Sequence, residues 1–270
     1  MRQSLLAAPL LALLLAAPPL GAVTPVSIPP AITSAVDSPS RPAADRARDP
    51  YRHPAQTLAF FGVRPEQNLV EFLPGGGWYT AILAPLVKEK GHYTALSSSD
   101  PKARAGAARM LATRAPWLPE SANASIDFKT GETGLAPGSA DVVLTFRNVH
   151  NLIMAGNETA PRIFAAFFRM LKPGGVLGVV DHRLPENRDS ALEKQSGYLK
   201  RSTIVKLATD AGFRLAAESE INANPKDKAD HPKGVWTLPP TLIEGDKDKA
   251  AYLAIGESDR MTLKFVKPEA

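Results

Sequence analysis

Short apolar runs alternate with longer segments of helical spacing along most of the chain. Such runs predict strands over 68–73, 91–96, 141–146, 176–180, 213–221 and 261–266, with a short one near Ile126. Helical spacing predicts helices over 57–61, 78–87, 160–170 and 203–211. A continuous apolar run such as 141–146 suits a strand that is covered on both faces. The alternation therefore predicts an α/β domain with a largely parallel sheet.

The start of the chain follows a different pattern. Arg2 precedes an apolar run over 5–15, and the small residues Gly21 and Ala22 offer a cleavage point. This order is typical of a signal peptide over residues 1–22. A membrane-spanning helix needs about 20 apolar residues, and Pro18 and Pro19 interrupt this run before that length. We therefore expect cleavage and export to the periplasm, with an uncleaved anchor as the alternative.

Composition sets the broad limits of the molecule. Prolines recur over 23–50 among few large apolar residues, which predicts a disordered tether before a folded domain over 51–270. With 270 residues, of which 44% are apolar, one large core is possible. The formal net charge is +5, but basic residues are dispersed among acids, so we expect no specific nucleic-acid partner and no membrane insertion after leader cleavage. The absence of cysteine excludes disulfides and a cysteine nucleophile.

A glycine-rich turn follows the first predicted strand. The run over 68–73 contains Glu71 near its end and leads into Gly75, Gly76 and Gly77 before a helical segment. Glycine adopts positive φ freely and lets a ligand approach the backbone, so the turn can hold a nucleotide-like molecule; a tight turn without a ligand is the alternative. In dinucleotide-binding domains the ribose-binding acid comes about 20 residues later, which disfavours a nicotinamide-dependent oxidoreductase.

An acid, a glycine loop and Trp78-Tyr79-Thr80 together resemble motif I of the class I S-adenosylmethionine-dependent methyltransferases, with Leu73 in place of the usual first glycine. Further phrases of these enzymes follow in order: Leu171-Lys172-Pro173-Gly174-Gly175, Ala211-Gly212-Phe213 and Lys264-Phe265-Val266-Lys267-Pro268. The chain is also similar to a bacterial group of predicted exported methyltransferases in Arg52-His53-Pro54, Arg147-Asn148-Val149-His150-Asn151 and Asp181-His182-Arg183. The resemblance implies a Rossmann-like three-layer sandwich whose seven-stranded sheet has its last strand antiparallel, between strands five and six.

The resemblance also implies S-adenosylmethionine as the cofactor and in-line methyl transfer to a small-molecule acceptor. It assigns cofactor binding to residues at the strand ends and the loop, with Glu71 on the side of the methionine ammonium group: Glu71, Gly75, Gly76, Gly77, Tyr79, Ser97 and Asn148. Ser97 stands where most members have a ribose-binding acid, and Asp100 would have to reach back to replace it. Lys129 and Thr130 stand where an adenine-side acid is usual.

Three residues at the ends of two predicted strands are the candidates for proton transfer: His150, Asp181 and His182. Because the carboxyl ends of parallel strands open toward one crevice, we expect these side chains to meet there. A histidine that titrates near neutrality is a suitable general base. Two alternatives stay open: His150 as a packing residue with Asp181 paired to Arg183, and a metal cluster that includes His53, although no close ligand spacing supports a metal.

The polar, proline-rich insert over 223–260 contains one large apolar anchor, Trp236. Loops at this place predict a wall or lid over a substrate pocket, and a surface loop pinned by Trp236 is the alternative. The leading hypothesis is an exported methyltransferase. Its rival is a non-catalytic exported binding or scaffolding protein that keeps the fold, which is suggested by Ser97.

Overall fold

The computed structural model describes residues 27–269, which form a mixed sheet between two layers of helices. The predicted signal peptide over 1–22 lies outside the described residues. Within 27–269, no helix has both the length and the apolar character that crossing a bilayer requires.

Eight strands form the sheet: β1 (Asn68–Phe72), β2 (His92–Ser98), β3 (Asn123–Ile126), β4 (Ala140–Phe146), β5 (Leu171–Leu184), β6 (Leu199–Lys200), β7 (Arg214–Ser219) and β8 (Arg260–Val266). Their order is β3-β2-β1-β4-β5-β8-β7, and β6 pairs with the end of β5. Strands β1 to β5 are parallel, whereas β8 is antiparallel to both β5 and β7. The predicted α/β architecture and the inserted last strand are confirmed, and the two-residue β6 is added to the seven predicted strands.

In the described part of the chain, ten α-helices accompany the sheet: α1 (Pro30–Val36), α2 (Ala43–Arg46), α3 (Asp49–Arg52), α4 (Pro54–Phe61), α5 (Thr80–Val87), α6 (Pro101–Arg114), α7 (Val149–Met154), α8 (Thr159–Met170), α9 (Arg201–Asp210) and α10 (Lys249–Ile255). The sequence pattern predicts α4, α5, α8 and α9 but not the others. Helix α6 is rich in alanine and arginine and buries few residues, so it has no clear apolar stripe to reveal it.

Alternate residues of the strands enter two separate cores. Val70 and Phe72 pack with α7, α8 and α9 on one face, and the rings of Phe72 and Phe167 meet edge to face at 5.0 Å. Leu69 lies on the other face, among residues of α1, α4, α5 and α6. This arrangement is the three-layer sandwich predicted from the sequence, because each buried strand presents apolar side chains in both directions.

Residues 27–50 do not form the disordered tether predicted for 23–50. Helix α1 packs on α4 and α5, with Ile32 fully buried and Val36 beside it. The buried guanidinium of Arg41 forms an ion pair with Asp49 at 2.8 Å. The folded part therefore begins well before residue 51. Proline misled the prediction because it is tolerated in the first turn of a helix, where Pro30 and Pro50 stand.

Candidate active site

The candidate site lies at the carboxyl ends of β1, β2, β4 and β5, which is where ligands bind in open α/β sheets. The glycine loop follows β1, and Arg147 and α7 follow β4. Asp181 and His182 lie near the carboxyl end of β5, paired with β8. These elements bring the predicted catalytic residues together, as the next contacts show.

The glycine loop leaves space for a ligand on its outer side. Gly75 and Gly76 are exposed, and a Cβ at either position would meet no heavy atom within 4 Å. Gly77 differs, because its φ is +76° and a Cβ would lie 2.6 Å from the sulfur of Met110. Gly77 is therefore required by packing and backbone conformation, whereas Gly75 and Gly76 are available to a bound molecule.

Glu71 supports this loop from below. Its carboxylate accepts hydrogen bonds from the hydroxyls of Thr80 at 2.8 Å and Tyr93 at 2.6 Å, and the side chain is buried. Burial raises the pKa of Glu71 to about 7, although both hydroxyls act in the opposite direction. Glu71 thus connects the strand to the start of α5. The resemblance implied that Glu71 faces a bound cofactor, but its side chain does not face the open side of the loop.

Other contacts fix the loop from its sides. Leu73 has φ +48°, a left-handed conformation that favours glycine. Asn148 donates its amide hydrogens to the carbonyl oxygens of Phe72 at 2.9 Å and Leu73 at 3.3 Å, so it ties the end of β1 to β4. Tyr79 stacks on Phe146 with ring centroids 3.5 Å apart. In this structure Asn148 and Tyr79 position the loop, and their contact with a cofactor stays a prediction.

The N-terminal helices hold the far side of the loop. Arg114 donates to the carbonyl oxygen of Gly76 at 3.0 Å and to Asp45 at 2.6 Å. The indole of Trp78 donates to the carbonyl oxygen of Asp45 at 3.0 Å, and the guanidinium of Arg52 lies 4.6 Å from the Trp78 ring. The segment that was predicted to be a tether therefore belongs to the structure around the loop.

The polar groups at the end of β2 and β3 are partly committed to the protein. The hydroxyl of Ser97 donates to the carbonyl oxygen of Ala124 at 3.4 Å. Asp100 caps α6 through one carboxylate oxygen, which accepts from the amides of residues 102 and 103. Asp127, which follows β3, uses one oxygen in the same way in its own turn. Asp100 and Asp127 each keep a second oxygen that makes no hydrogen bond within the described chain.

His150 and Asp181 form a buried pair. The Nδ1 atom of His150 lies 2.8 Å from Oδ1 of Asp181. Asp181 also accepts from the backbone amides of Val149, His150 and His182. A carboxylate with four donors acts as an acceptor, so Nδ1 of His150 carries the proton and Nε2 is left as a base. Arg183 pairs with Asp259 and Glu220, so the alternative pairing of Asp181 with Arg183 is wrong.

His182 lies against His150, with ring centroids 5.0 Å apart. Its Nδ1 is 2.6 Å from the hydroxyl of Ser258. Burial, together with the neighbouring His150 and Arg147, lowers the pKa of His182 well below its ordinary value, so this ring is neutral at pH 7. Ligand atoms of His150, Asp181 and His182 come within 4.8 Å of one another, as a metal site would require, but Asp181 is already occupied by its four donors.

A cavity of about 190 Å³ opens beside the two histidines. Arg147 lines it from the end of β4, Trp236 from the insert, and Glu257 and Ser258 from the segment just before β8. The Trp236 ring meets His150 edge to face at 6.2 Å. The insert thus forms one wall of the cavity, which is the position predicted for it. A larger cavity of about 400 Å³ lies at the opposite, amino-terminal edge of the sheet, far from these groups.

Four arginines surround Glu257 behind this cavity, and we call them the arginine cluster: Arg48, Arg52, Arg147 and Arg260. Glu257 accepts hydrogen bonds from Arg48 at 2.6 Å, Arg260 at 3.1 Å and Arg52 at 3.2 Å. Although burial alone would raise it, these charges lower the pKa of Glu257 to about 2. His53 lines a different cavity with Asn222, so it does not join the other histidines.

The residues at this edge fit S-adenosylmethionine. Two exposed glycines give access to the backbone, and Asp100 and Asp127 offer free carboxylate oxygens near the ends of β2 and β3. The hydroxyls of Ser97 and its neighbours are the other polar groups there. Such a molecule would be held by the backbone of the loop and by these side chains.

Comparison with known proteins agrees with this geometry. Residues 70–179 match the model of a family described as a methyltransferase domain. The chain is similar in structure to a SAM-dependent methyltransferase from Aquifex aeolicus, with 15% identity, a TM-score of 0.54 and coverage of 82% of this chain and 93% of that one. A comparison with curated protein sequences finds no match.

Two further structures share the fold. Phosphoethanolamine N-methyltransferase 2 of Haemonchus contortus, solved with S-adenosyl-L-methionine, is 19% identical, with a TM-score of 0.50 and coverage of 79% of this chain and 52% of that one. The cyclase SpnF is 18% identical, with a TM-score of 0.54 and coverage of 84% and 83%.

The chain therefore has the fold of solved S-adenosylmethionine-dependent methyltransferases, and part of it matches a methyltransferase domain. Residues 70–179, from β1 into β5, are the part that carries the methyltransferase match. Since a cyclase shares this fold, the reaction has to be argued from the site itself.

Proposed function

We propose that the protein transfers a methyl group from S-adenosylmethionine to a small-molecule acceptor that binds in the cavity beside His150. The observation that carries the proposal is the buried His150–Asp181 pair, 2.8 Å apart, at the edge where the glycine loop is open to a ligand. The loop gives access to a cofactor, and the cavity gives a separate place for an acceptor.

The bound cofactor would supply a methyl group on a sulfonium, which is already a good leaving group. The protein's task is then to align the acceptor and to remove its proton. Asp181 fixes the tautomer and the direction of His150, so Nε2 of His150 is the base. Neutral His182 and the ring of Trp236 border the same space and restrict the entry of water.

We also propose that the protein is exported and that its leader is cleaved near residue 22. The support is the sequence pattern of residues 1–22. Mass spectrometry of the protein from periplasmic extracts would give the mature N-terminus. A full-length chain in the cytoplasm would contradict export.

Calorimetry with S-adenosylhomocysteine, the demethylated cofactor, tests the binding step. A side chain at Gly76 meets no protein atom and that residue does not have positive φ, so Gly76→Val should fold normally and weaken binding at least about ten-fold by filling the ligand's space. Gly134→Val is the matched control, because Gly134 is equally open and exposed. Absence of binding to the wild type would leave the rival reading, a binding or scaffolding protein.

A labelled-methyl assay on cell extracts tests the chemical step. We expect His150→Asn to lower transfer by roughly 10²–10⁴ while S-adenosylhomocysteine still binds. His92→Asn, at the exposed amino end of β2, should leave transfer unchanged. Full transfer by the His150 variant would remove the general base from the proposal.

A further inference from the structure

The arginine cluster holds more positive charge than the protein neutralises. Glu257 is the one carboxylate that accepts hydrogen bonds from the cluster within residues 27–269, and Asp181, whose charge also acts on Arg147, already has four donors. Burial and the charge of Arg147 lower the pKa of Arg52 to about 9, and burial and the charge of Arg260 lower the pKa of Arg147 to about 10. Both groups remain protonated at pH 7, so a surplus of buried positive charge persists.

Several donors of the cluster have no acceptor within residues 27–269. Nη2 of Arg48, Nη2 of Arg52 and Nε of Arg260 are buried and unpaired. Arg52 and Arg260 are each only 3% exposed. A buried donor without a partner is unfavourable, and more so if it is charged, so native proteins usually satisfy such groups. Arg48, Arg52 and Arg260 do not line the cavity beside His150, so their unpaired donors add to the positive charge behind Arg147 and are not themselves ligand contacts.

Arg147 places this charge at the substrate cavity. It lines the cavity with both histidines, and its side chain makes no hydrogen bond to the described residues. Its φ of +62° is a conformation that side chains rarely adopt, and the bond from its amide to the carbonyl oxygen of Val180, 2.7 Å, holds it there. Strained residues of this kind are common at ligand sites.

We propose that Arg147, backed by the arginine cluster, binds an anionic group of the acceptor, a carboxylate or a phosphate, so that the enzyme methylates a small acid. The inference rests on the proposed function, whose acceptor it specifies. Guanidinium groups recognise both anions through charge-assisted hydrogen bonds. The same charge opposes a metal cation beside His150 and His182, so an anion is the better match for the cavity.

Anion binding is measured by calorimetry with inorganic phosphate and with succinate, at constant ionic strength made up with chloride. The wild type should bind at least one of them, and Arg147→Met should weaken binding about ten-fold or more, with partial recovery in Arg147→Lys. Arg104→Met is the matched control, because Arg104 is exposed on α6. No binding to the wild type, or equal binding to Arg147→Met, would overturn the proposal.

A second variant guards against misfolding of the first. Thr241 is exposed at the mouth of the same cavity, so Thr241→Glu should fold and weaken anion binding by repulsion. Unchanged binding in this variant would count against the cavity as the anion site.

The carboxylate that Arg147 binds could belong to the acceptor or to the cofactor. Titration with S-adenosylhomocysteine distinguishes these two sources. If Arg147→Met weakens that ligand ten-fold and phosphate competes with it, the cluster binds the cofactor's own carboxylate and the assignment to the acceptor is overturned. If the variant leaves S-adenosylhomocysteine binding intact and loses anion binding, the acceptor is supported. If the wild type does not bind S-adenosylhomocysteine, the methyltransferase proposal fails, while an anion site at Arg147 is still detected.

Discussion

Glu71 is the residue whose charge is most closely tied to the fold. The unfolded chain ionises it near its ordinary pKa of 4.5, whereas in the folded protein its pKa is about 7. The fold therefore prefers the protonated form. This contribution to stability is fully present below pH 4.5 and is lost as the pH rises through 7.

We predict that Glu71→Gln, which mimics the protonated form, reduces the fall in the free energy of unfolding between pH 4.5 and 7. The difference in free energy of unfolding between wild type and Glu71→Gln should change by up to ~3 kcal/mol across this pH range. Urea denaturation at a series of pH values measures it. Glu66→Gln, on the exposed surface, is the control, and a parallel pH dependence in wild type and Glu71→Gln would refute the assignment.

At the residue scale, the sequence predicts where a residue lies in the fold better than it predicts the direction in which its side chain points. Asp181 and His182 could be assigned to one crevice because strand ends in a parallel sheet share an edge. The direction of Glu71 could not, because it depends on the pleat. Val70 and Phe72 face α8, so Glu71 between them points to the opposite layer, under α5.

Helix α1 is the element that most changes the expected picture. Its apolar residues lie in the same core as α4 and α5, so the N-terminal segment contributes to the stability of the domain. It also leads into the contacts of Asp45 and Arg52 with the glycine loop. Removing this segment would therefore expose the loop as well as the core.

We predict that Ile32→Ala lowers the free energy of unfolding by about 2–5 kcal/mol, because Ile32 is fully buried and the change leaves a cavity. Ile243→Ala, at a residue that is 57% exposed, should have an effect within about 0.5 kcal/mol. Urea denaturation of both variants measures the difference. Equal stability of Ile32→Ala and wild type would instead support the prediction that this segment is a disordered tether.

The strands and the central helices could be predicted because their apolar periodicity is strong. Helices α1 to α3 could not, since proline is compatible with both a helix start and an extended tether. The arginine cluster could not either, because Arg52, Arg147 and Arg260 come from three distant segments that only the folded sheet brings together. The one local indication of this cluster in the sequence was that Arg52 and Arg147 each begin a segment that resembles the exported methyltransferase group.

Across the whole molecule, the glycine loop and the cavity beside His150 are built from different parts of the chain. The loop depends on β1, α5 and the N-terminal helices, whereas the cavity depends on β4, β5 and the insert. Trp236 packs so closely on Gly197 that a Cβ there would lie 3.1 Å from its ring. This contact anchors the insert over the histidines.

We predict that Trp236→Ala loosens the insert but leaves the cofactor loop intact. Amide hydrogen exchange over residues 234–241 should become faster, because the anchor is lost. Affinity for S-adenosylhomocysteine should stay within about two-fold, since distant sites act independently. Trp117→Ala, a residue 44% exposed at the opposite edge, should change neither. Strong loss of affinity in Trp236→Ala would show that the two halves are coupled.

The position of β8 has a consequence for the synthesis of the protein. This strand lies between β5 and β7, yet it is made after both. While the chain emerges from the ribosome, β5 and β7 therefore expose edges that only residues 260–266 can cover, and Glu257 has not yet reached its arginines. Exposed strand edges and uncompensated buried charge both favour an open chain. We expect translation to be well advanced before the domain can close, which leaves an interval for a chaperone or a translocation machinery to bind the unfolded chain.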